Sequence, residues 1–219
     1  MPFIVLIFEF VLLFLLSKIV ILKLSKLFYY LTKNYKLTVI LLSIICFPGT
    51  IIHEFAHYVF AKILLVRTGK IVLLPTFNGN AITLGSVEMA RSNIFFRTLI
   101  GFAPVLIGTI VITLFVYILE SNLYFHTYLW YGILGFIIFS ISNSMFSSRK
   151  DLEGLTFYLV LLFLSIVFLF IFEKNLFLLY LLPLLNPLFT HVATYLLIPL
   201  IIDISIILLM YLLSFLITI

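Results

Sequence analysis

The sequence predicts an all-α polytopic membrane protein with about six transmembrane helices and a membrane-embedded β-hairpin between the second and third helices. Of its 219 residues, 65% are hydrophobic and 10% are charged, which is more apolar surface than a soluble core could bury. Apolar runs of about 20 residues, the length a helix needs to cross a bilayer, recur between short polar breaks. One of those breaks carries an Asn-Gly pair between two β-type stretches, which indicates a hairpin.

The apolar runs define the expected spans. They cover residues 3–24, 37–65, 95–119, 127–148, 154–172 and 192–218. The first run has no basic leader or small-residue cleavage site, so we expect it to be a permanent span. A shorter piece at 176–189 would add a seventh span, but Pro183 and Pro187 interrupt it. Proline removes helix hydrogen bonds that lipid cannot replace, so an interfacial or re-entrant segment is the alternative for this piece.

Two polar breaks have a recognisable character. The break at residues 23–36 mixes four lysines with three tyrosines, as connectors at a membrane interface do. The second break, from Val66 to Asn93, holds the stretches Gly69–Pro75 and Ala81–Glu88 on either side of the Asn-Gly pair. Open strand edges are costly in lipid and apolar strands are costly in water. We therefore expect the hairpin to lie at membrane depth against protein, with an ordinary surface loop as the alternative.

The distribution of charge excludes nucleic acid as a partner. The net charge is +5, but the 13 lysines and arginines are scattered over loops and helix ends and form no basic stripe with interleaved aromatics. We interpret them as cations that flank the membrane, with lipid as the surrounding partner. The single cysteine, Cys46, can form neither an intrachain disulfide nor a cysteine metal cluster.

The second apolar run contains the sequence His53-Glu54-Phe55-Ala56-His57. Residues four apart share one face of a helix, so both histidines can bind the same zinc ion while Glu54 lies beside them as a general base. The alternative is a pair of histidines that form interhelical hydrogen bonds. Ionisable groups are costly to bury in lipid and are by default functional. This favours the interpretation in which the motif binds one zinc ion per chain. Pro48 and Gly49 allow a kink before the motif.

A catalytic zinc usually has three protein ligands, so a further ligand must come from another segment. Alternating spans return the chain to the side of the histidines at Asp151, and a helix N-cap is the alternative role for this residue. Glu153 is the competing ligand. The small residues Gly101 and Ala103, with Pro104, fall at the depth of the histidines and allow helices to approach closely. For Asp203 and His191, a water gate, a second metal and a buried hydrogen bond remain open.

The order of these motifs resembles the site-2 protease family of intramembrane zinc metalloproteases. That family has HExxH on one helix, a membrane-embedded hairpin, a small-residue motif like Ala-Gly-Pro, and a helix that ends in Asn-x-x-Pro-x-x-x-x-Asp-Gly. The matching features here are His53–His57, the hairpin at 69–88, Gly101–Pro104, and Asn143 followed eight residues later by Asp151. This chain has no proline between Asn143 and Asp151, and Leu152 replaces the glycine, as in a divergent member.

The resemblance implies a single integral membrane domain, 1–219. A metalloprotease-like core at 37–155 would lie between accessory transmembrane segments at 1–36 and 156–219. It implies a zinc metalloendopeptidase that cleaves transmembrane or membrane-associated protein substrates, with an active site nearer the cytoplasmic side. Glu54 would be the catalytic base; His53, His57 and Asp151 would bind the metal; and Asn143, Gly101 and Pro104 would help to position substrate. For Asn143 a polar contact between helices is the alternative.

Two other functions remain open. The first is a different membrane HExxH metallopeptidase with Glu153 as the third ligand. The second is a catalytically silent membrane-binding module or a metal transporter. A transporter would be expected to line a continuous path with acids and histidines, whereas here the strongest cluster lies at one depth. Neither the substrate nor the oligomeric state follows from the sequence.

Overall fold

A computed structural model describes residues 2–78, 81–121, 128–146, 164 and 176–217 of the chain. Over these residues the protein is mostly helical. Its elements in chain order are α1 (Pro2–Thr32), α2 (Tyr35–Ile63), β1 (Thr68–Val72), β2 (Thr76–Asn78), β3 (Ala81–Thr83), β4 (Ser86–Met89), α3 (Ile94–Ser121), α4 (Tyr128–Ser144) and α5 (Leu176–Ile217).

Four helices in the described ranges are long and apolar enough to cross a membrane. They are α1, α2, α3 and the part of α5 from Leu185 to Ser214. The fifth apolar helix, α4, has 17 residues and therefore a length of roughly 26 Å, slightly less than a bilayer core. The membrane class of the chain and its helical character agree with the prediction. Six spans are not confirmed, and the predicted run at 154–172 lies outside the described residues except for Leu164, which is helical.

The segment Leu176–Ile217 is a single helix rather than two pieces. The sequence predicts a separate apolar piece at 176–189, but α5 continues through Pro183 and Pro187 over 42 residues. Each proline removes one backbone N–H, while packing along α1 supports the rest of the helix. The rings of Phe3 and Phe189 lie 5.5 Å apart and Lys23 Nζ lies 3.4 Å from the centroid of the Tyr211 ring, so α1 and α5 run side by side in the same direction.

Two polar features set the position of α2. At its start, Asn34 Oδ1 accepts hydrogen bonds from the N–H groups of Lys36 and Leu37 at 2.9 and 3.3 Å. Asn34 is therefore the N-cap of α2. In its middle, Gly49 donates its N–H to Ser140 Oγ of α4 at 2.9 Å. A Cβ on Gly49 would collide with the Ser140 carbonyl, so only glycine allows α2 and α4 to cross this closely.

The predicted hairpin is present between α2 and α3. Strand β1 pairs with β4 and strand β2 pairs with β3, both antiparallel, and the chain reverses between the paired residues Asn78 and Ala81. The register of the outer pair shifts between Thr68 and Ile71. At this bulge the carboxylate of Glu88 accepts the N–H of Lys70 at 3.3 Å. The depth of the hairpin in a membrane remains a prediction.

The core forms where the helices cross. Its largest fully buried side chains come from four different helices, which shows that the bundle closes on its own apolar faces. They are Leu13 of α1, Ile112 of α3, Ile138 of α4 and Leu196 of α5. This packing holds α3 and α4 against α2, the helix that carries the HExxH sequence.

Candidate metal centre

The two histidines of the motif meet inside the protein. His53 and His57 lie one turn apart on α2 and each has 4% of its surface exposed. Their Nε2 atoms are 3.1 Å apart and their rings are almost perpendicular, at 87°. Two nitrogen ligands of one tetrahedral zinc, each about 2.0–2.1 Å from the metal, are separated by roughly 3.3 Å. The spacing of this pair therefore fits a shared zinc ion.

A backbone carbonyl orients the second histidine. His57 Nδ1 lies 2.9 Å from the carbonyl oxygen of Ile100 in α3. A carbonyl only accepts hydrogen bonds, so Nδ1 carries the proton and donates it, which leaves the lone pair of the neutral ring on Nε2. Metal-binding histidines are usually held by such a second contact on the other ring nitrogen. The donor set is thus two buried imidazoles, one of which has its tautomer defined.

Pro104 explains why that carbonyl is available. In a regular helix the carbonyl of Ile100 would accept the N–H of the residue four positions later. That residue is Pro104, which lies inside α3 and has no N–H. The carbonyl of Ile100 is consequently free to accept the His57 proton. The contact with the motif is made by Ile100, the residue directly before the segment Gly101–Pro104.

The hairpin covers Glu54. This glutamate has 5% of its surface exposed. A Cβ built on Gly85, at the interruption between β3 and β4, would lie 2.8 Å from Glu54 Oε1 and 2.8 Å from Thr50 Cγ2. A larger residue at this position would require the Glu54 carboxylate or the hairpin to shift. Gly85 and Thr50 are not among the residues predicted from the sequence, although a glycine in a strand region often marks a close backbone approach.

The predicted third ligand lies outside the part of the chain that the structure describes. This applies to Asp151 and equally to its rival, Glu153. Within the described residues, no group of three histidine, cysteine, aspartate or glutamate side chains is placed to hold a metal ion. The described site is therefore the pair His53 and His57, with Glu54 beside them.

Asn143 takes part in a different buried pair. Its Nδ2 donates to Asp203 Oδ1 of α5 at 2.8 Å and to the carbonyl of Phe139 at 3.0 Å. Asp203 is completely buried. Within the described residues, the other side-chain oxygen of each partner has no hydrogen-bond partner. Of the roles left open for Asp203, a buried hydrogen bond is the one that the structure contains.

The remaining polar residues named from the sequence lie elsewhere. His191 is an exposed residue on α5 with its ring near that of Tyr195. Glu120 accepts the hydroxyl proton of Tyr195 at 2.7 Å.

Comparisons of this chain with protein-family models, with curated proteins and with solved structures find no match.

Proposed function

We propose that this protein is an intramembrane zinc metallopeptidase, similar to site-2 proteases, that hydrolyses peptide bonds in transmembrane or membrane-associated protein substrates. The observation that carries the proposal is the paired, buried Nε2 atoms of His53 and His57, 3.1 Å apart, with His57 oriented by the Ile100 carbonyl. Two buried imidazoles and a carboxylate in five residues are costly in an apolar bundle unless they have a function.

The proposed roles of the residues follow from the positions of their side chains. His53 and His57 would hold zinc, and Asp151 would complete the ligand set. Zinc, when bound, supplies a Lewis acid that polarises the peptide carbonyl and makes water a stronger nucleophile. Glu54 would take a proton from the attacking water and return it to the leaving amine. Its burial beneath Gly85 keeps bulk water away from this carboxylate, which strengthens its electrostatic interactions.

The hairpin supports a role in substrate binding. A transmembrane substrate must unwind before its carbonyls become accessible, and an extended segment can then add to the open edge of a strand. In the described part of the chain each hairpin strand has a single partner, so β1 and β4 each retain an open edge. We propose that one of these edges holds the substrate beside Glu54.

The test separates metal binding from chemistry. The purified full-length protein is incubated with zinc and dialysed, its zinc content is measured, and cleavage of synthetic transmembrane peptides in detergent micelles is followed by mass spectrometry. The proposal predicts one zinc per chain and cleavage for the wild type. Glu54→Gln should keep the zinc and lose the cleavage.

Three results would contradict the proposal. Cleavage by Glu54→Gln at the wild-type rate would remove Glu54 from the reaction. A wild-type protein that retained no zinc would remove the metallopeptidase as a whole. Zinc without cleavage in the wild type would favour the silent module or the transporter. Separate Asp151→Ala and Glu153→Ala variants would then identify the third ligand, since only loss of the true ligand should release the metal.

A further inference from the structure

A basic notch lies at the turn between α1 and α2, at the end of α2 away from the metal centre. Its cavity volume is about 310 Å³, close to the lower bound for sites that bind small molecules. Five side chains line it: Ser25, Lys26 and Tyr29 from α1, and Tyr35 and Thr38 from α2. Thr38 precedes His53 by 15 residues, roughly 22 Å along the helix, so the notch is separate from the zinc site.

The charge around the notch has one sign. Residues 23–36 include four lysines, and the sequence contains no acid between Glu9 and Glu54. The first turn of α2 adds the positive end of its helix dipole. The turn is tight, since Lys33 has a φ of 49° and Asn34 already caps α2. Lys26 lines the notch directly, Lys36 follows the lining residue Tyr35 in sequence, and Lys33 lies with its Nζ over the Tyr30 ring. Such a cluster attracts an anion.

An exposed apolar stripe leads from the notch along α1. Leu15, Ile19 and Leu22 are 51%, 40% and 62% exposed. They precede Lys26 at intervals of four, three and four residues, which places all four side chains on one face of the helix. Two tyrosines line the notch, and tyrosine is enriched at the level of lipid headgroups. The surface thus joins an anion site to a track suited to hydrocarbon chains.

We propose that the basic notch binds the phosphate headgroup of an anionic phospholipid whose acyl chains lie along Leu15, Ile19 and Leu22. A free phosphate would use the cations but not the stripe. Lysines near a membrane surface each contribute about 1 kcal/mol to the attraction of anionic lipid. Loss of three of them should therefore weaken binding on the order of 100-fold.

Binding is measured on the detergent-solubilised full-length protein by titration with phosphatidylglycerol, with phosphatidylcholine as the neutral comparison. The triple variant Lys26→Gln, Lys33→Gln, Lys36→Gln should lose phosphatidylglycerol binding on the order of 100-fold. Ser25→Phe keeps every charge but fills the notch, and it should also lose binding. A control triple variant, Lys62→Gln, Arg67→Gln, Lys70→Gln, removes the same charge near the other end of α2 and should bind like the wild type.

Three results would overturn the proposal. Equal loss in the two triple variants would indicate attraction to the overall charge. Wild-type binding by Ser25→Phe would show that the notch is not the site. Displacement of the lipid by inorganic phosphate at concentrations comparable to those of the lipid would indicate a site for the free anion. Ser25→Phe and the phosphate competition decide the question even if the lysine variant fails to fold.

Discussion

The histidine pair of α2 and the pair Asn143–Asp203 are two buried polar sites in this bundle, and they differ in how their polar atoms are arranged. Between α2 and α3, the Nε2 atoms of His53 and His57 converge on one point, and a backbone carbonyl holds His57 from behind. Between α4 and α5, Asn143 and Asp203 are bonded to each other across the helices. Burial alone is therefore not enough to propose a metal site. At the histidine pair, two ring nitrogens meet at a spacing that fits one zinc ion, whereas at the second pair an amide and a carboxylate are bonded to each other.

The largest expected effect comes from removal of one of the two imidazoles proposed to bind zinc. His57→Ala should weaken zinc binding by more than about 100-fold, because a direct ligand contributes more than the 10- to 100-fold of an outer-shell contact. Competition with a chromophoric chelator measures the affinity. His191→Ala is the matched control, since that histidine is exposed on α5, and it should bind zinc like the wild type. Equal affinities for wild type and His57→Ala would place the metal elsewhere.

Gly85→Ala should have the next largest effect, on cleavage rather than on zinc. The new Cβ would lie 2.8 Å from Glu54 Oε1, so either the carboxylate or the hairpin must move. A displacement of about 1 Å in a catalytic group costs on the order of 100-fold in rate. The measurement is kcat for a synthetic transmembrane peptide.

Gly135→Ala provides the matched control for this substitution, because nothing lies within 4 Å of its new Cβ. It should retain full activity. An unchanged cleavage rate in Gly85→Ala would show that the hairpin does not restrict Glu54.

A substitution in the pair Asn143–Asp203 should lower the stability of the protein and leave the zinc site intact. Asp203→Leu removes the acceptor of Asn143 Nδ2, and loss of a buried hydrogen-bond partner costs about 1–3 kcal/mol. Unfolding in detergent reports the free-energy change. The exchange Asn143→Asp with Asp203→Asn restores an amide–carboxylate contact and should recover most of the stability. A large loss of zinc affinity in Asp203→Leu at unchanged stability would instead join this pair to the metal centre.

Pro104→Ala should produce the smallest effect. Alanine restores an N–H that competes with His57 for the Ile100 carbonyl. That oxygen has two lone pairs and can accept both protons, so zinc affinity should fall only a few-fold, less than the 10- to 100-fold expected for outright loss of an outer-shell contact.

Pro199→Ala, in the interior of α5, is the control for a proline that the metal centre does not use. Its zinc affinity should equal that of the wild type. If zinc affinity fell equally in both proline variants, the effect would come from helix straightening rather than from a change in the contact between His57 and Ile100.

Hydropathy and local spacing account for what the sequence predicts well. The long apolar helices follow from composition, the hairpin follows from Asn-Gly between β-type stretches, and the shared face of His53 and His57 follows from helix periodicity. These are short-range properties, since each depends on residues close together in the chain. The continuity of α5 through Pro183 is an exception that nothing in the described contacts explains.

The long-range contacts could not be predicted in the same way. Gly85 lies against Glu54 only because the hairpin folds back onto α2. Asn143 and Asp203 are 60 residues apart. The interaction of His57 with Ile100 requires both the docking of α3 and the missing N–H of Pro104. Pro104 itself stands out in the sequence, but its effect through Ile100 becomes evident only once the two helices are placed together.

The most direct test of the zinc site is X-ray absorption at the zinc edge of the zinc-loaded full-length protein. We expect two imidazole nitrogens at about 2.0–2.1 Å from the zinc, with the remaining positions filled by oxygen. Glu54→Gln should keep the imidazole scattering, and His53→Ala should lose half of it. A wild-type spectrum without imidazole scattering, or one that is unchanged in His53→Ala, would contradict the proposal that these two histidines bind the metal.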